Sequence, residues 1–194
     1  MAAMDDMNEL EQRRALLGLA RECIQSALVT GERPQFPERI LPECLSRPGA
    51  SIVTLRLGRD LRGSAGSFTV GRPLCLDVWH NAWRAAFSDP RFSPLRPAEW
   101  RYANLQLSLL TPSQRLRAWS EARLIKKLRP KIDGVSLEYQ GSRATFPPSV
   151  WEQIPNPQDF VTYLKLKAGL PADFWSRDIK VERYRATHCA EVEY

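Results

Sequence analysis

Apolar residues recur at helical spacing through Leu10, Leu17, Ala20, Ile24 and Leu28. Asn8 and Glu11 stand ahead of that run as a capping box, and Gly31 follows it as a stop. The pattern predicts one amphipathic helix over residues 9–29. Prolines at 34, 37, 42 and 48 then mark irregular chain, because proline lacks a donor and fixes φ. The β-rich run Ser51–Leu57 predicts a strand, turned by Gly58-Arg59-Asp60. Leu61–Phe68 reads as a return segment broken by two glycines, which in a strand mark a bulge or a close approach. Pro73 opens a second helix with an apolar stripe of Leu74, Val78, Ala82, Ala85 and Ala86, and Asp89-Pro90 ends it.

Further on, Pro97–Trp100 reads as one short turn and Leu105–Leu109 alternates as a half-buried strand. Residues 121–128 predict a short helix. Val135–Tyr139 and Arg143–Phe146 flank Gln140-Gly141-Ser142 as a hairpin. Asn156-Pro157-Gln158-Asp159 is a helix start, and Gly169 with Pro171 its stop. Ile179–Tyr184 is the last strand expected, with a fraying tail behind it. Strands in hairpin-like order with helices between some of them argue an α+β fold on antiparallel sheets.

A chain of 194 residues fits one domain or two small lobes. No apolar run approaches the ~20 residues of a membrane helix. The first seven residues carry acids and no basic region, unlike a signal peptide, so the expected location is cytoplasmic and no membrane is expected as a partner. Cys23, Cys44, Cys75 and Cys189 lie far apart and read as free thiols. With His80 and His188 the only histidines, no metal site and no cofactor is expected. The net charge of +6 favours polyanions modestly, but arginine runs along most of the chain without a long basic block. Nucleic acid therefore stands as an alternative partner, not the leading one.

The densest chemistry lies in Leu61-Arg62-Gly63-Ser64-Ala65-Gly66-Ser67. Structurally it is a bulged turn that lets neighbours pack closely. Functionally it is an anion or carbonyl site, with backbone N–H groups of Gly63–Ser67 as a nest and Arg62 as a bidentate cation. Gly63-x-x-Gly66 also fits the loop of a KH domain, without the flanking helices that loop needs. No Walker loop or dinucleotide fingerprint is present. Arg91 either lines the same cleft or pairs with Asp89. Ser108 faces away from Leu107 and Leu109, toward a polar cleft or solvent. His80 reads as a surface or packed histidine, and most of the six scattered tryptophans as core or lobe-interface anchors, not a base-stacking platform.

Taken in order, several stretches resemble the AmmeMemoRadiSam system protein A family, the AMMECR-type domain. Leu61–Gly66 is similar to its L-R-G-C-I-G motif. Ala82–Ala86 with Asp89–Pro94 resembles A-x-x-A-A-x-x-D-P-R-F-x-P, and Leu107–Leu110 resembles its I-S-V-L strand. Leu128–Val135 resembles L-R-P-G-V-D-G-L. Arg143–Phe146, Val150–Gln153 and Lys167–Trp175 continue the likeness. The resemblance implies an α+β fold of two lobes on mainly antiparallel sheets, with the glycine motif near a cleft. It implies a flexible N-terminus over 1–8, one AMMECR-type domain over 9–187 and a tail over 188–194. By gene context it implies work beside a Memo-like dioxygenase-family protein and a radical-SAM enzyme. Ser64-Ala65 stands where the family motif has Cys-Ile, so a thiol nucleophile at 64 is ruled out in this chain. Serine needs an adjacent base, and the sequence offers none.

The leading expectation is an accessory protein holding a small anionic or carbonyl-bearing group through Arg62, Gly63, Ser64, Ala65, Gly66, Ser67, Arg91 and Ser108. The alternatives are an enzyme using Ser64 or the cleft donors in acyl or group transfer, and an RNA-binding protein.

Overall fold

The computed structural model describes residues 7–39 and 41–191. In chain order the elements are α1 (Glu9–Thr30), α2 (Glu43–Ser46), β1 (Pro48–Leu57), β2 (Asp60–Gly66), β3 (Arg72–Pro73), α3 (Leu74–Phe87), α4 (Pro97–Trp100) and β4 (Ala103–Leu110). They continue as β5 (Gln114–Arg115), α5 (Glu121–Lys127), β6 (Gly134–Tyr139), β7 (Ser142–Phe146), a 3₁₀ turn (Pro148–Glu152), α6 (Pro157–Lys167), β8 (Lys180–Tyr184) and β9 (Ala186–Ala190). The fold is α+β, and the chain divides into two compact units. The first runs to Leu110 and resumes at Thr187; the second is Thr111–Ala186.

In the first unit, the capping box at Asn8 and Glu11 forms as the sequence predicts, and Gly31 takes the left-handed conformation at φ 73°. The buried face of α1 is Leu16, Leu17, Leu19, Ala20, Cys23, Ile24 and Ala27. The sheet runs β2-β1-β4-β9, with β3 paired to the start of β1. Alternation along β1 buries Val53 and Leu55 under α3 and leaves Ile52, Thr54 and Arg56 half-exposed on the other face. A polar knot fastens α3 to β1. The carboxylate of Asp77 accepts from the Ser51 N–H at 2.8 Å and hydroxyl at 2.7 Å, and from the Asn81 amide at 3.0 Å. Ser51, Asp77 and Asn81 are all buried.

The second unit has a four-stranded antiparallel sheet in the order β5-β8-β6-β7. Its hairpin turns through Gln140 at φ 46° and Gly141 at φ 86°, the left-handed pair a two-residue turn demands. Trp151 stacks on Phe160 at 3.7 Å between ring centroids, inside a core with Val135, Leu137 and Leu164. Trp151 also donates to the Asp133 carbonyl at 2.7 Å. Lys165 is fully buried, its ammonium on Glu121 at 2.6 Å.

The short strands β3 and β5 and the 3₁₀ turn go beyond the sequence reading, and two longer stretches depart from it. Residues 186–190 form β9 instead of a frayed tail. Their pattern carries no strong alternation, because β9 turns only a thiol inward: Cys189 Sγ contacts the Leu107 carbonyl at 3.6 Å. Irregular chain was expected over 32–48, yet residues 43–46 form a helical turn that buries Leu45. Residues 1–6 of the N-terminal segment and 192–194 of the expected tail lie outside the described residues.

Candidate functional site

Leu61–Gly66 is strand, not turn, with Ser67 just past its end. It pairs antiparallel with β1, with Leu55 opposite Gly63, Thr54 opposite Ser64 and Ile52 opposite Gly66. The register shifts between Leu55 and Arg56, leaving Arg62 as the extra residue of a bulge. In a ladder, successive N–H groups point to opposite edges, so those of Gly63–Ser67 do not converge as a nest. The Ser67 N–H goes to the Ser51 carbonyl at 2.9 Å, and the Ser64 N–H goes outward to Asp89 Oδ2 at 2.8 Å.

The glycines serve close packing. A Cβ on Gly63 would lie 2.0 Å from the Ala85 carbonyl oxygen, so only hydrogen fits between β2 and the last turn of α3. A Cβ on Gly66 would lie 2.7 Å from Ile52 Cγ1. The small residues Ala82, Ala85 and Ala86 complete the same approach from the helix side, each buried.

Arg62 is buried and forks onto Glu99, Nε–Oε1 2.8 Å and Nη2–Oε2 3.1 Å, with Nη2 also on the Ser93 carbonyl at 3.0 Å. Its bond and charge hold the Glu99 carboxyl down to about 2. Arg91 forks onto Asp89 at 3.0 and 2.7 Å, with its own side chain 56% exposed. That bond, aided by the Ser64 and Arg91 N–H groups, holds the Asp89 carboxyl well below the usual carboxylate range. Arg62 and Asp89 thus tie the chain after α3 to the sheet edge, Arg91 orients Asp89 from within that chain, and the Nε and Nη2 donors of Arg62 are spent inside the protein. The Arg91–Asp89 pairing is the alternative the sequence offers, but the Asp89 bond to Ser64 and the partners Glu99, Asp77 and Asn81 escaped the sequence reading. The only signal for the last two was polar residues four apart on an otherwise apolar helix face. Ser67 meets that pair through Asn81 Nδ2 at 3.2 Å.

What stays available lies on the sheet face turned away from the core. Ser64 Oγ and Thr54 Oγ1 are 3.0 Å apart. Gln106 stands opposite Thr54 on β4 and accepts from Arg56 Nε at 3.0 Å. Two residues along, Ser108 Oγ lies 2.8 Å from His188 Nδ1. Ser64 and Ser108 therefore share a face, two strand spacings across and two residues along, ~12 Å apart from sheet dimensions. Ala65 turns the other way and packs with the core. Of the expected residues, Ser64 and Ser108 reach this face with their hydroxyls, Arg62, Gly63 and Ala65 serve packing, and Arg91 lies beside the β2 edge.

Among the described residues no group of three or more His, Cys, Asp or Glu is placed to hold a metal ion. The four cysteines are free, and burial pushes the Cys23 thiol up to about 12, far from a reactive thiolate. Among the described residues no helix is long and apolar enough to cross a membrane. A cavity of about 650 Å³ elsewhere on this unit is lined by Arg33, Phe36, Arg72, Leu76, Trp79 and His80, with no residue of the motif. Arg33 donates to His80 Nδ1 there, and burial followed by that cation lowers the His80 pKa, so the ring is neutral.

Comparison with known proteins places this geometry among relatives. A family model described as AMMECR1 matches residues 17–189. A protein of Methanothermobacter thermautotrophicus is 30% identical over 182 residues, covering 91% of this chain and 92% of the relative. One from Thermococcus gammatolerans is 33% identical, covering 92% and 89%. The crystal structure of an uncharacterised protein from Pyrococcus horikoshii superposes with a TM-score of 0.84 at 28% identity, over 93% of this chain and 92% of that one.

Proposed function

The chain belongs to the AMMECR1 family, and on that footing we propose that it is a binding component, holding a carboxylate- or carbonyl-bearing group on the polar face of its five-stranded sheet. One observation carries the reading: the donors left over around Ser64. Ser64 and Thr54 share one hydrogen bond but own two hydroxyl hydrogens, so one remains to offer. Gln106 uses its carbonyl oxygen on Arg56 and keeps both amide hydrogens. Two adjacent donors beside an arginine suit an oxygen acceptor with partial or full negative charge. Ser64 in place of the family cysteine is itself a donor and keeps this chemistry.

Support for partners comes from the family resemblance, which points to a Memo-like protein and a radical-SAM enzyme in the cytoplasm, with this chain as their accessory. Affinity capture of the tagged chain from its own cells is the test. Wild type is expected to retain both partners, and a Thr54→Val, Gln106→Leu double variant to lose them while keeping its circular dichroism. Recovery of neither partner, together with no acetate-induced amide shifts at residues 54, 64 and 106, sinks the proposal. Arg62 is a poor probe, since its removal strands Glu99.

Acyl transfer remains a second reading because of one distance. Ser108 Oγ at 2.8 Å from His188 Nδ1 has the spacing of a nucleophile and its base, whereas Ser64 meets only a threonine hydroxyl. A fluorophosphonate probe that labels Ser108, and fails to label the His188→Gln variant, would favour it over simple binding.

A further inference from the structure

The formal charge of +6 is not shared between the two units. Residues 111–186 carry fourteen Lys and Arg against eight Asp and Glu, whereas the rest of the chain is balanced at fourteen of each. Within the second unit several carboxylates are also spent: Glu121 on buried Lys165, Asp133 on Arg129, and Glu138 on Lys180. The sequence impression of evenly spread arginine therefore hides a strongly cationic half.

That charge gathers around one exposed aromatic. Arg115, Arg117, Trp119 and Arg177 line a concavity of about 310 Å³. Trp119 is 58% exposed, an uncommon setting for so large an apolar side chain. The guanidinium of Arg123 lies 4.0 Å from its ring centroid, capping one face. Among the described residues no carboxylate lies within ion-pair distance of Arg115, Arg117, Arg123 or Arg177, and all four are exposed. The Lys127 ammonium bonds the Arg117 carbonyl at 2.7 Å and braces the same segment.

We propose that this concavity binds single-stranded nucleic acid, with Trp119 stacking on a base and Arg115, Arg117, Arg123 and Arg177 meeting the neighbouring phosphates. Four cations around a single ring match a strand of alternating bases and phosphates. A duplex keeps its bases stacked and leaves the tryptophan without a partner. An acidic peptide needs the charges but not the ring. A membrane anchor wants further exposed apolar side chains beside Trp119, whereas the other apolar lining residues, Leu116, Ala118 and Ile179, are half-buried or buried and the exposed ones are arginines.

The test uses the full chain and a fluorescein-labelled oligouridylate of about twelve nucleotides, followed by anisotropy from about 50 to 300 mM salt. Four phosphate contacts predict a slope near −2.8 for log affinity against log salt, at about −0.7 per phosphate on a single strand. An Arg117→Gln, Arg177→Gln double variant should lower that slope by about 1.4. Trp119→Ala should weaken binding roughly ten-fold, while Trp119→Phe, which keeps a stacking face, should retain most of it. Trp119 is exposed, so melting curves matching wild type are expected for both. A flat salt response, full affinity in Trp119→Ala, or equal competition by polyglutamate, by a duplex or by phosphatidylserine vesicles overturns the proposal.

Discussion

Gly63→Ala asks whether the glycine motif is there for packing. The new methyl would sit 2.0 Å from the Ala85 carbonyl oxygen and 3.1 Å from its carbon. Relief to the closest ordinary contact needs a shift of about 1 Å, and the obstacle is helix backbone, not a side chain that could swing aside. That turn of α3 is itself held: Ala85 and Ala86 are buried, and the Leu95 N–H bonds the Ala86 carbonyl at 2.8 Å. Overpacking of this kind costs about 1–3 kcal/mol, and loosening the Ser64-to-Asp89 bond adds about 1 kcal/mol. A total near 3 kcal/mol corresponds to a melting-point drop of about 6–12 °C for a chain of this size. Thermal melting by circular dichroism, with urea titration on the tryptophan signal, measures it. A Gly63→Ala protein that melts within about 1 °C of wild type would refute the packing account of the motif.

Other expectations follow from the same geometry. Gly18→Ala should do the reverse, raising stability by about 0.5–1 kcal/mol, because Gly18 is exposed inside α1 with nothing within 4 Å of its added Cβ; a lower urea midpoint would contradict this. Glu99 titrates near 2 in the fold, below its ordinary value of 4.5, so its contribution is complete above about pH 4.5 and is lost as pH falls toward 2. Urea midpoints across that window should fall more steeply in wild type than in Glu99→Gln, and parallel curves would count against the Arg62 fork. Lys165→Met should destabilise the second unit by about 3 kcal/mol by leaving Glu121 with the Gln158 amide but no cation, as read by urea titration of the tryptophan signal; an unchanged midpoint would refute a stabilising role for the pair.

Local signals read well in this chain. The Asn8 box, the Asn156 cap and the Gln140-Gly141 hairpin state their elements in a few adjacent residues, and each forms. The glycine motif shows what such reading misses. Gly63 announces a close approach, yet the atom it approaches is 22 residues away, and no local pattern names the Ala85 carbonyl. Arg62 looks like a ligand cation for the same reason, because Glu99 becomes its partner only once the chain folds back. The Ser64–Thr54 and Ser108–His188 pairs depend on strand register, which a single sequence fixes only weakly. The charge asymmetry was present in the residue counts but needs the boundary at Leu110 to become visible.

The return of the chain at β9 has a consequence for how the protein is made. Strand order places β9 beside β4, and Glu191 then grips Arg21 on α1 at 2.6 Å and the Leu105 N–H at 3.0 Å. The first unit thus closes with residues that leave the ribosome after the whole of the second. During synthesis the later-encoded half, a contiguous stretch, is free to fold first, while the earlier half waits with an open sheet edge for its final strand. Premature termination just before residue 186 would therefore injure the oldest part of the chain and spare the newest.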